Sequence, residues 1–170
     1  MTRTVFHSAD LLIPRETLLP RWAVIACDQF TSEPEYWEQA KAAVGNAPSA
    51  LNLIFPEAWL KQDREARIAR INESMQEALH RAVFREYPES FVYVERTLVN
   101  GSVRRGLVGA VDLEAYDYRP DADSAIRATE RTVVARIPPR VAIRKDAPLE
   151  LTHVLMLCDD ETESLIETLT

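Results

Sequence analysis

The dipeptide Asn100-Gly101, set between two β-rich runs, restricts the fold of this chain more than any other feature. Asn and Gly both accept positive φ, which a two-residue hairpin turn demands at its two central positions. Phe91 to Val99 alternates and is rich in β-branched and aromatic residues, the pattern of a half-buried strand. Ser102 to Leu113 reads as the returning strand. The sequence therefore predicts a hairpin over about 91–113.

A second pattern supplies the helical layer. Ile68, Ile71, Met75, Leu79 and Val83 recur at spacings of three and four, which places them on one helical face. Arg64, Arg67, Arg70, Glu73, Glu77 and Arg81 fill the rest, as on a solvated outer face. A helix over about 57–85 follows, with its apolar stripe on the core. The two patterns give an α+β fold, a mixed or antiparallel sheet around the central hairpin packed by the long helix. A chain of 170 residues suits a single domain spanning 1–170. Its 46% hydrophobic and 28% charged composition is that of a soluble globular protein.

The remaining elements are shorter. Residues 21–27 are apolar and read as a strand that delivers Asp28 and Gln29 at its end. Ser32 is placed as an N-cap, Pro34 near the first helical position and Glu35 at capping-box distance, starting a helix that stops at Gly45. Leu51 to Phe55 reads as a short strand. Glu114 to Asp121 is a polar loop, and Asp123 or Ser124 caps a helix over about 125–133. Pro138 and Pro139 break the chain, with a short helix after them through Arg144. Leu151 to Cys158 reads as a further strand, and the last residues as helical.

Several function classes are disfavoured. The chain has four glycines, Gly45, Gly101, Gly106 and Gly109, so no Walker or Rossmann phosphate loop can be assembled. The net charge of −7 argues against nucleic-acid binding. No apolar run approaches the roughly 20 residues that span a bilayer, and the N-terminus has no signal-like apolar core. Cys27 and Cys158 each lie in an apolar run, which favours reduced, buried thiols in a cytoplasmic protein. His7, His80 and His153 share no ligand spacing and no CxxC occurs, so a structural zinc is not expected. His80 reads as a surface residue and His153 as an interior one.

Three constellations carry candidate chemistry. Asp28, beyond a strand end, can accept a hydroxyl proton or hold a metal, or simply cap the next turn. From Arg119 to Lys145 there are seven basic residues against Asp121, Asp123 and Glu130, a local excess of four positive charges on an acidic chain. Arg127, Arg131, Arg136 and Arg140 in that segment present guanidinium forks suited to phosphate or carboxylate, and a helix starting at Ala125 would add free amides. The bland alternative is a set of ion pairs with the acidic remainder. Within the segment Glu130 lies between Arg127 and Arg131, where a carboxylate stays ionised and can serve as a base. It also suits an ordinary surface pair.

The segments Trp22 to Trp37, Arg105 to Val108, Val111 to Tyr118, Ile126 to Thr132 and Arg136 to Arg140 together resemble domain-of-unknown-function family one thousand and fifteen of prokaryotes. Members are longer, and the chain resembles their N-terminal part. That family is similar to the ParB/sulfiredoxin-like superfamily, which includes free-serine kinases. The resemblance implies a nucleotide-dependent phosphotransferase acting on a small molecule, with ATP or ADP and Mg²⁺ as cofactors. It makes Glu130 the counterpart of the carboxylate that activates the serine hydroxyl. The superfamily's Gly-His/Asn-His-Arg/Ser phosphate motif is absent from this sequence. The expected function is thus the ligand- or nucleotide-binding part of a phosphotransferase-like protein. The alternatives are a non-catalytic module that binds a metabolite or a protein, or a fragment without independent activity.

Overall fold

Gly101 turns the predicted hairpin with φ at 84°, and strand pairing runs unbroken from Thr97↔Val103 to Val92↔Val108. The loop is one residue longer than the Asn-Gly signal implied. Gly101 N donates to Leu98 O (2.9 Å) and Leu98 N to Ser102 O (2.7 Å), so Val99, Asn100 and Gly101 form the connection. Asn100 keeps negative φ, and its Oδ1 accepts from Ser102 N at 3.0 Å. This is the three-residue solution, in which the glycine alone takes the left-handed position.

The computed structural model describes residues 4–119, 121–128, 132–151, 153–162 and 164–169. In chain order the elements are β1 (Phe6–His7), β2 (Ala9–Pro14), α1 (Leu19–Trp22), α2 (Pro34–Val44), α3 (Arg64–His80), β3 (Phe84–Ser90), β4 (Val92–Thr97), β5 (Val103–Val108), β6 (Ala110–Val111), β7 (Tyr116–Asp117), β8 (Ile126–Arg127) and α4 (Ile137–Arg144). Strands pair in twos: β1–β6 and β4–β5 antiparallel, β7–β8 parallel, and β2–β3. The fold class is α+β.

The chain divides into two compact units. One, the sheet unit, comprises Met1–Leu12, Glu86–Arg131 and Leu155–Thr170. It holds the hairpin, the β1–β6 and β7–β8 pairs, a Phe6–Phe91 ring contact at 5.4 Å and the buried Ile126. The other, the Trp37 unit, comprises Ile13–Arg85 and Thr132–Val154.

The Trp37 unit has the larger core. Trp37 and Val44 of α2, Ile71 and Met75 of α3, and Leu51, Leu53, Phe55 and Trp59 between them form one buried cluster. Full burial of such side chains is worth about 1.5–3 kcal/mol each. Trp37 is 0% exposed and meets Tyr36 edge-on at 5.4 Å and Trp59 at 6.3 Å. Arg67 lies over the Trp59 ring at 4.7 Å. The apolar stripe predicted for α3 is therefore correct at its centre. The helix is shorter than 57–85, however: Glu57–Trp59 forms a 3-10 turn, Asp63 turns the chain at φ 43°, and Ala82 at φ 50° sends it into β3.

Several local expectations fail, each for an identifiable reason. Residues 21–27 are not a strand: Pro20 opens α1, and the extended stretch after Trp22 packs Val24 and Ile25 on the core without joining a ladder. α2 starts at Pro34 and ends at Gly45 as expected, yet its N-cap is Glu33, without a side-chain cap bond, rather than Ser32. Leu51 belongs to a 3-10 turn capped by Ser49, whose Oγ accepts from Leu51 N at 3.2 Å. In place of a helix from Ala125 there is β8, so no helical amides cluster there. Pro138 and Pro139 open α4 instead of breaking the chain, because the first turn needs no amide donors. Leu151 to Cys158 contains no strand among its described residues; His153, Leu155 and Cys158 are exposed. Glu167–Leu169 is a single 3-10 turn.

Candidate functional site

The extended stretch after α1 turns at Cys27 to Phe30, and that turn presents Asp28 and Gln29 to solvent. Gln29 N donates to Ala26 O (3.0 Å) and Gln29 Nε2 to Asp28 Oδ1 (3.5 Å). Phe30 follows at φ 47°, a left-handed conformation that is strained for a bulky residue. Its ring stacks on Tyr36 at 4.2 Å. The stacking holds the turn against the start of α2.

Two more elements of the Trp37 unit reach this turn. Glu57 N donates to Cys27 O at 2.8 Å, which fixes the 3-10 turn of Glu57 beside it. Arg140 of α4 donates from Nη2 to Glu57 Oε1 at 3.2 Å. The Arg140 side chain is 56% exposed and that of Glu57 26%. An exposed pair of this kind contributes little to stability, about 0–1 kcal/mol. It does fix where the guanidinium stands.

The half-buried Cys27 thiol reports the field at this corner. Burial raises its pKa most, and the negative charges of Asp28 and Glu57 raise it further. A backbone hydrogen bond and the positive charge of Arg140 pull it down. Asp28, Glu57 and Arg140 thus all act on one sulfur, which stays a neutral thiol at neutral pH. A poorly ionised thiol is a weak nucleophile, so the polar side chains carry the chemistry here. They comprise two carboxylates that accept hydrogen bonds and one guanidinium whose fork points toward an acidic group. No group of three or more His, Cys, Asp or Glu among the described residues is arranged to hold a metal ion. No helix among them is long and apolar enough to cross a membrane.

A protein-family model described as a protein of unknown function, DUF1015, matches residues 10–170. The chain belongs to the DUF1015 family. No curated protein and no solved structure matches it.

Within this DUF1015 chain the sequence-predicted site residues are dispersed. Asp28 and Arg140 lie in the Trp37 unit, as does Arg136, exposed at the start of α4. Arg127 lies on β8 of the sheet unit and donates from Nε to Ser124 O at 3.1 Å. Glu130 and Arg131 fall outside the described residues. Among the described residues, three of the seven basic residues in the segment are held in ion pairs. Arg119 bonds Asp117 at 2.6 Å, Arg140 bonds Glu57, and Arg144 bonds Glu150 at 2.9 Å. Sequence reasoning missed Glu57 and the electrostatic role of Cys27. Glu57 stands after Pro56 in an unremarkable turn, and only the tertiary fold brings it to Cys27. No spacing signal pointed to it.

Proposed function

We propose that the chain is the metabolite-binding part of a phosphotransferase-like protein, with its ligand at the Asp28–Glu57–Arg140 corner. One observation carries this reading: Glu57, whose amide bonds the carbonyl of Cys27 next to Asp28, also holds Arg140, which is distant in sequence. A guanidinium beside two carboxylates suits a small molecule that bears both an acidic group and a hydroxyl or ammonium group. The guanidinium takes the carboxylate or phosphate, and the carboxylates accept from the hydroxyl or ammonium. Arg136, at the start of the same helix, adds a second cation for the acidic end. Asp28 is the base that takes the hydroxyl proton if a phosphoryl group is transferred, with ATP and Mg²⁺ as its source. Glu130, with Arg127 and Arg131, is the rival base and phosphate set implied by the likeness to the ParB/sulfiredoxin-like superfamily.

The non-catalytic module is the second reading. It is favoured by the missing phosphate loop, since transfer needs groups that hold the nucleotide phosphates. A thermal-shift screen with ATP, ADP, Mg²⁺, inorganic phosphate, serine and other hydroxy acids separates the two. A nucleotide-dependent shift with turnover supports the phosphotransferase. A shift with hydroxy acids alone, without turnover, supports the binding module. No shift with any of them, or a shift unchanged in Arg140→Gln, defeats this placement of the site.

A further inference from the structure

We propose that the Trp37 unit holds a second small-molecule site, a pocket for an uncharged single-ring nucleobase, which does not rest on the Arg140 reading. The pocket has a volume of about 130 Å³ and lies between the turn after α2 and the C-terminal half of α3. Trp22, Leu53 and Val83 line it. Leu53 and Val83 are buried and Trp22 half-buried, so they form its floor. Asn46, Asn52 and Ser74 also line it, the two asparagines being exposed at its mouth.

The polar groups decide the ligand class. The Ser49 hydroxyl is already committed, donating to Trp22 O and accepting from Leu51 N, both at 3.2 Å. The side chains of Asn46, Asn52 and Ser74 have no hydrogen-bond partner among the described residues. Glu77 and Arg81, also in the wall, neutralise each other at 3.0 Å. The pocket therefore carries two free carboxamides, a hydroxyl and no net charge beside the buried Leu53 and Val83. A carboxamide offers a donor beside an acceptor, the complement of the amide-like edge of a base. Size restricts the choice further. A cavity of about 150 Å³ accepts one benzene ring, so the pocket has room for a single ring, and a two-ring base would project from it.

The test is titration of the full chain with uracil and cytosine, and with adenine and glucose for comparison, followed by tryptophan fluorescence and by NMR of the asparagine side-chain amides. The expected result is saturable binding of the pyrimidines, with the Asn46 and Asn52 amide signals shifting. Asn52→Ala should weaken it about tenfold, the loss of one bidentate pair. Both asparagines are exposed, so Asn46→Ala and Asn52→Ala should melt like the parent chain. Arg140→Gln should leave pyrimidine binding unchanged, which separates this site from the Asp28 corner. No saturation at millimolar concentration, binding untouched by both asparagine substitutions, or glucose binding as well as uracil would each overturn the proposal.

Discussion

Gly109 and Gly106 lie three residues apart, yet an added methyl meets different surroundings at each. At Gly106 nothing stands within 4 Å of the new carbon. At Gly109 it would lie 2.6 Å from His7 O and 2.7 Å from Phe6 Cζ, well inside the ~3.5 Å of favourable contact. The Phe6 ring could swing away from Phe91, but the His7 carbonyl belongs to β1 and cannot move alone. Relief requires β1 to leave β6. That breaks the Phe6↔Val111 and His7↔Ala110 pairing and the 2.9 Å bond from Asp112 N to Val5 O. Two or three backbone bonds at about 0.5–1.5 kcal/mol each give a cost of about 2–3 kcal/mol. Gly106→Ala should be neutral or stabilising by up to about 1 kcal/mol, because it only restricts the unfolded chain. Urea unfolding followed by circular dichroism reads the difference. With a slope of about 2 kcal/mol per molar, Gly109→Ala lowers the midpoint by about 1 M or more. Hydrogen exchange adds a local readout, since the Asp112 amide should lose its protection. If the two variants unfold at the same urea concentration, or the Asp112 amide stays protected in Gly109→Ala, the close packing of β1 on Gly109 is wrong.

Other expectations follow from the same contacts. Arg119 bonds the Asp117 carboxylate through side chain and backbone and holds its pKa below 3.8. The resulting stabilisation is therefore present above the unfolded value of about 3.9 and lost as pH falls through the folded one. Carbon-detected NMR titration should place Asp117 low, and Arg119→Gln should move it up; an unmoved midpoint refutes the pairing. Iodoacetamide at mildly alkaline pH should label the exposed Cys158 before Cys27, read by mass spectrometry. Glu57→Gln should speed Cys27 labelling and Arg140→Gln should slow it, as the signs of their charges require. Trp37→Ala should cost about 3–5 kcal/mol in urea unfolding. Trp37→Phe should cost much less, because it also removes an indole Nε1 that is buried without a partner among the described residues.

What could be read from the sequence was what depends on local pattern. The Gly101 turn, the Gly45 helix stop and the apolar stripe through Ile71 and Met75 are set by nearby residues, and all three are present. What could not be read depends on partners distant in sequence. The apolar runs at 21–27 and 151–158 have strand composition, but composition cannot supply a neighbouring strand. Pro138 and Pro139 read as breakers because their place in the first turn of a helix is visible only once that helix is known. The site shows the same division. Asp28 was identifiable as a polar residue ending an apolar run, although that run is not a strand. Its link to Arg140 passes through Glu57 and Cys27, which no motif connects.

If Asp28, Glu57 and Arg140 bind one ligand together, that ligand must perturb all three of their segments at once. The most direct measurement is an NMR titration of the backbone-assigned chain with serine, phosphate and ADP–Mg²⁺. Shifts should concentrate at residues 27–36, around Glu57 and along α4, and should be lost in Arg140→Gln. Shifts confined to the sheet unit around Arg127, or no saturable shift with any of the three, would contradict a shared site.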